Sequence, residues 1–120
     1  MKFLKYAPAL TWMIVIFYFS SRSTVGIGTN ETDRFLILKS FHLIEYATLS
    51  ILIFYAIRNY KYTIITAYLY AITDEIHQYF VPGRTCKITD TFIDLIGISI
   101  GLLLLKKLLS YYQNRQNKLH

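Results

Sequence analysis

The 120-residue chain has one cysteine, two prolines, one tryptophan and only seven acidic residues. Each scarcity excludes something. The lone Cys86 rules out an internal disulfide and reads as a structural or incidental thiol rather than a nucleophile. Pro8 lies in the first turns of an apolar run, where a missing N–H costs least, and Pro82 belongs to a Pro-Gly turn. No internal repeat or low-complexity tract is present. No strictly apolar run reaches the ~20 residues usual for a spanning helix, although the flanking polar turns bring each near that length.

What the chain does have is apolar bulk. Hydrophobic residues make up 54% and charged residues 17%, a balance that fits a membrane protein better than a soluble one. Eleven tyrosines and eight phenylalanines suit the water–lipid interface. The net charge of +6 raises nucleic acid as a partner, but the basic residues lie in pairs between apolar runs rather than along one helix face. Topology signals and anionic lipid contacts explain that placement, and no nucleic acid is expected.

The runs predict one all-α domain over 1–120, a polytopic membrane protein built as an antiparallel bundle of about four transmembrane helices. The helices fall at roughly 4–20, 36–57, 62–80 and 89–107, with polar outer loops at 20–35 and 81–88 and a basic tail at 108–120. The first run follows Lys2 and Lys5 like a signal-peptide core, but Ser20-Ser21-Arg22 offers no small-x-small cleavage site, so an uncleaved helix is expected. Asn30-Glu31-Thr32 matches a glycosylation sequon, a pattern short enough to arise by chance.

With an inside N-terminus, Lys2, Lys5, Arg58, Lys61, Lys106, Lys107, Arg115 and Lys118 fall on one side. Arg22, Arg34, Lys39, Arg84 and Lys87 fall on the other. Eight against five places both termini in the cytoplasm of a multi-pass cell-membrane protein. All seven acids then share the outer side with His42 and His77.

Four of those acids lie between Ala71 and Gly101. Residues three or four apart share a helix face, which yields three polar stripes. Lys39, His42, Glu45 and Tyr46 form the first. Asp74, Glu75 and Gln78 continue a small-residue face from Ala67 and Ala71. Asp90, Asp94, Gly97 and Gly101 form the third, in which the two glycines read as a close-packing motif. Facing these stripes outward would place carboxylates in lipid at ~2.5–3.5 kcal/mol each near the bilayer centre, so they are expected to line a shared cavity. Glu45, Asp74, Glu75, Asp90 and Asp94 outnumber Lys39, Arg84 and Lys87 there. Either a carboxylate keeps a proton or a bound cation supplies the missing charge.

Lys39-x-x-His42-x-x-Glu45-Tyr46, then Asp74-Glu75-x-x-Gln78-x-x-x-Pro82-Gly83-Arg84, then Asp90 and Gly97-x-x-x-Gly101 together resemble the VanZ-like family. Ser20-Ser21 after the first helix agrees, and the likeness covers roughly Phe19 to Gly101. Asp94 departs from it, standing where many members carry asparagine. The resemblance implies a small integral membrane protein of Gram-positive bacteria and relatives, linked to resistance to teicoplanin, a lipidated glycopeptide acting at the outer face. Some members carry a phosphotransbutyrylase label, which a membrane bundle of this size lacks the makings for.

Three functions compete. The first is an outer-face site that binds or modifies an envelope lipid or its headgroup, the partner being membrane lipid, a lipid-linked envelope component or a lipoglycopeptide. Arg84 would contact phosphate or carboxylate, with Lys39, Asp90 and Asp94 also at the ligand. Asp74 or Glu75 would serve as general base, Gln78 would orient substrate or water, and His42 or His77 would relay protons beside Glu45. A variant adds a divalent cation on Glu45, Asp74, Asp90 or His42, with Mg²⁺ or Ca²⁺ suited to carboxylates and Zn²⁺ to histidine. The second reading is non-enzymatic: a structural polar network in a protein that binds lipid, drug or a partner. The third is a small ion- or proton-coupled transporter, for which four short helices would need to form an oligomer.

Overall fold

The computed structural model describes residues 1–84 and 87–120, so the reading of Cys86 lies outside the described residues. A 3₁₀ turn, Leu4–Tyr6, leads into four α-helices: α1 (Ala7–Ser20), α2 (Glu31–Ile57), α3 (Tyr60–Tyr79) and α4 (Asp90–Lys118). Among the described residues there is no strand.

The helix ends follow local chemistry. Asn30 caps α2, its side-chain oxygen accepting the Asp33 N–H at 2.8 Å, and Glu31 and Asp33 occupy the positive first turn. These start signals carry the helix into a stretch expected to be loop, so the connection from α1 is shorter than 20–35. At the other end, Arg58 adopts the left-handed conformation (φ 58°, ψ 29°) and its N–H returns to Phe54 O at 2.8 Å. Asn59 then caps α3 by accepting from Tyr62 N–H at 3.1 Å. One stop residue and one start residue thus make the whole turn.

The segment expected as a tail at 108–120 is instead helical as far as Lys118. Leu108, Leu109, Gln113, Arg115 and Gln116 are adequate helix formers, and nothing between them and Gly101 stops the ladder. This projection, exposed throughout, lengthens the molecule to 57 × 32 × 20 Å.

Cross-helix contacts set the directions. Gly97 and Gly101 of α4 lie against Leu43 and Ala47 of α2, so these two helices run parallel. Tyr70 and His77 of α3 meet Met13 and Phe17 of α1 in the same sense. Chain neighbours therefore alternate up and down. Tyr46, Leu49, Ala67, Ala71 and Ile98 are fully buried at the centre. Two aromatic donors hold α1 in place by its neighbours' backbones and its own: Trp12 Nε1 to Glu45 O at 2.9 Å, and Tyr70 OH to Met13 O at 2.5 Å.

Outside this core the surface is apolar, with Leu10, Ile14, Phe17, Phe41, Ile44 and Leu103 all exposed. By length and composition α2 is able to cross a membrane; the apolar stretch Leu4–Ser20 is shorter.

Candidate functional site

The polar stripes meet at one end of the bundle, where α1 and α3 finish and α2 and α4 begin. Asp74 is the hub. Ser20, the last residue of α1, donates its hydroxyl to Asp74 Oδ1. Tyr46 OH reaches Oδ2 at 3.0 Å and Gln78 Nε2, one turn along α3, reaches the same oxygen at 3.1 Å. Gln78 Nε2 also lies 3.2 Å from Ser20 Oγ. Three donors on three helices satisfy a buried carboxyl group that would be costly to leave unpartnered away from water.

A second set of contacts climbs the parallel α2/α4 pair. Lys39 Nζ lies 2.5 Å from Asp90 Oδ1, and one turn deeper His42 Nδ1 lies 2.9 Å from Asp94 Oδ1. The glycines follow. A Cβ on Gly97 would sit 2.8 Å from Leu43 O, and one on Gly101 would collide with Ala47 O and Ser50 Oγ. The small-residue stripe therefore sets the backbone approach that brings the charged rungs into contact.

Arg84 closes the site from the loop after α3. Its Nη2 donates to Phe19 O at 2.7 Å, its Nε to Arg22 O at 3.2 Å and its Nη1 to Gln78 Oε1 at 3.4 Å. Burial pushes its pKa down, the carboxylates of Asp74, Glu45 and Glu75 oppose this, and the guanidinium remains a cation. Arg34 ties the same loops together, donating to Thr24 Oγ1 at 2.5 Å and Gly83 O at 3.1 Å.

Two cavities adjoin here. A polar one of about 260 Å³ has Arg34, Lys39, Arg84 and Lys87 in its wall, with Glu31 and Asp90. An apolar groove of about 410 Å³ runs between α1 and α2 past Trp12, Val15, Phe19, Phe41 and Ile44. Thr24, Leu38, His42, Gln78 and Arg84 belong to both walls.

Of the residues singled out in the sequence, His42, Asp74, Glu75, Gln78 and Asp94 are buried together at this end. Lys39, Arg84 and Asp90 form its half-buried rim, and Glu45 lines the apolar groove. His77 stands apart, 2.9 Å from Ser21 Oγ and stacked on Phe17. Among the described residues, the donors that lie close enough for a shared metal ion are His42, Glu75 and Asp94, all within 4.8 Å of one another. Of the four residues expected to hold a cation, His42 alone is among them. Asp74 is already engaged by its three donors and Asp90 by Lys39. Sequence reasoning missed Ser20, Thr24 and Arg34 as members. In the sequence Ser20 figures only in the Ser20-Ser21 pair of the resemblance, one hydroxyl among several after an apolar run, and the roles of Thr24 and Arg34 arise only when segments distant in the chain meet.

The family model described as VanZ/LLP1 matches residues 5–110, which takes in all four helices except the end of α4. No curated protein and no solved structure matches the chain. The hub at Asp74, the Gln78–Arg84 contact and the glycine-spaced α2/α4 seam all lie within the matched span, and the chain belongs to the VanZ/LLP1 family.

Proposed function

We propose that this chain is a multi-pass membrane protein whose polar end faces outward and binds or modifies an anionic envelope lipid. The observation that carries this reading is the pair of adjoining cavities, one cationic and one apolar, with Arg84, Gln78 and His42 at their junction. An amphiphile with a phosphate or carboxylate headgroup and an acyl chain matches that pairing. The positive charge of Arg34, Lys39, Arg84 and Lys87 in the polar wall attracts the headgroup, and the groove beside Phe19, Phe41 and Ile44 takes the chain.

Several features support the membrane part. The helices α2, α3 and α4 are ~40, ~30 and ~44 Å long at 1.5 Å per residue, enough for a ~30 Å hydrocarbon core. Exposed Leu10, Ile14, Ile44 and Leu103 form the kind of apolar surface that lipid covers. The distribution of Lys and Arg supports cytoplasmic termini. Lipid-linked precursors or a lipoglycopeptide are the ligands that family membership suggests, and resistance to teicoplanin is the corresponding phenotype.

The Asp74 hub favours a second reading, in which the polar groups only lock the bundle. Three donors spent on one carboxylate is what a structural network looks like. One experiment separates the two. Wild type, Gln78→Ala and Arg84→Ala are expressed, and membrane protein level, teicoplanin susceptibility and copurified lipid are measured together. Normal levels with lost lipid and lost resistance support the site. Parallel loss of protein and phenotype would support the structural network. A wild type that retains no anionic lipid would sink the lipid reading.

A further inference from the structure

We propose that His42, Glu75 and Asp94 form a binding site for a divalent first-row transition metal ion, of the Zn²⁺ or Mn²⁺ class. One imidazole nitrogen and two carboxylate oxygens come from three different helices, with all three donor atoms within 4.8 Å of one another. Donors so spaced close on a common centre at the ~2.0–2.2 Å of zinc coordination with movements of under ~1 Å. The mixed nitrogen and oxygen set suits Zn²⁺ or Mn²⁺ better than Mg²⁺ or Ca²⁺, which prefer oxygen throughout.

Burial and an unfilled acceptor point the same way. His42, Glu75 and Asp94 are 6%, 4% and 0% exposed. Asp94 Oδ1 accepts from His42, whereas Asp94 Oδ2, fully buried, has no hydrogen-bond partner among the described residues. A buried carboxylate oxygen needs a donor or a cation. Among the described residues, the neighbouring cations donate elsewhere: Lys39 to Asp90, and Arg84 to Phe19 O, Arg22 O and Gln78. A dication supplies the partner that Asp94 Oδ2 lacks among the described residues.

Position gives the ion a use. His42 belongs to the wall of both cavities, so the cluster lies directly behind the junction where Arg84 stands. Three protein donors leave coordination positions for water or for an oxygen from a ligand, as catalytic zinc sites do. The site stands on the cluster itself and does not require the ligand to be a lipid.

The test uses the full chain purified in detergent with a histidine-free affinity tag, stripped with chelator and titrated with Zn²⁺, Mn²⁺, Mg²⁺ and Ca²⁺. Metal content and calorimetry are the readouts. Wild type is expected to take up one Zn²⁺ or Mn²⁺ per chain and to unfold at higher temperature when loaded. Glu75→Gln and Asp94→Asn are expected to weaken binding by more than the ~10–100-fold that loss of an outer partner costs. His77→Gln, outside the cluster, is expected to keep wild-type metal content. Should either cluster variant fail to fold, the wild-type stoichiometry and thermal shift decide. A folded wild type that takes up neither Zn²⁺ nor Mn²⁺, or cluster variants that bind as wild type does, would overturn the site. Bound lipid, read by mass spectrometry on the same preparation, reports separately on the lipid reading.

Discussion

His42 and Asp94 meet at 2.9 Å across two helices that run in the same direction, one turn deeper than the Lys39–Asp90 contact at 2.5 Å. Because α2 and α4 are parallel, a single register sets both rungs and the two glycine contacts that follow. Shift that register and the charged groups part company.

The glycine seam is therefore the first place to look. A Cβ at Gly101 would strike Ala47 O and Ser50 Oγ, and backbone oxygen does not move aside as a side chain does. Gly101→Val is expected to destabilise the protein by ~1–3 kcal/mol, measured as an unfolding free energy in detergent. A variant as stable as wild type would mean that α2 and α4 approach less closely than described.

Asp74 should behave as a hub. Tyr46→Phe removes one hydrogen bond to a charged acceptor, worth ~1.5–3 kcal/mol. Asp74→Ala strands three buried donors together, so its cost should exceed that of Tyr46→Phe clearly, at ~3 kcal/mol or more. Denaturation of the two variants side by side gives the comparison. Equal losses would show that Ser20 and Gln78 contribute nothing through Asp74.

Arg84 should not tolerate lysine. Its fork serves Phe19 O, Arg22 O and Gln78 Oε1 from three nitrogens, which a single ammonium cannot copy. Arg84→Lys is expected to keep its membrane level and lose ~10-fold in retention of anionic lipid, or ~1.4 kcal/mol. Wild-type retention would leave charge alone as the requirement.

Orientation is testable by labelling in a Cys86→Ser background. Gly83 is a poor probe position, since its φ of 81° and the approach of Ser23 Oγ leave no room for a side chain. Lys61, at the start of α3, and Lys87, just before α4, are exposed at opposite ends of the bundle. In intact cells Lys87→Cys should react with an impermeant maleimide, and Lys61→Cys should react only after lysis. The reverse pattern would invert the topology.

The sequence by itself determined the helical class and the turns, and it named most of the polar residues that the structure gathers at one end of the bundle. Those features are local or periodic: Asn30 and Asn59 cap whatever follows them, and spacings of three and four put Asp74 with Gln78 and Gly97 with Gly101 on one face. The expected start of α2 at 36 and end of α4 at 107 were nonetheless misplaced, because polarity alone does not distinguish a loop from an exposed helical turn. What only the tertiary structure decided is which acid does what. Asp74 and Glu75 are adjacent in the chain, but a 100° step around α3 turns Asp74 toward Ser20 and Tyr46 and brings Glu75 to His42 and Asp94. Helix rotation and the parallel α2/α4 register fix those partnerships, and both come from packing between segments distant in sequence.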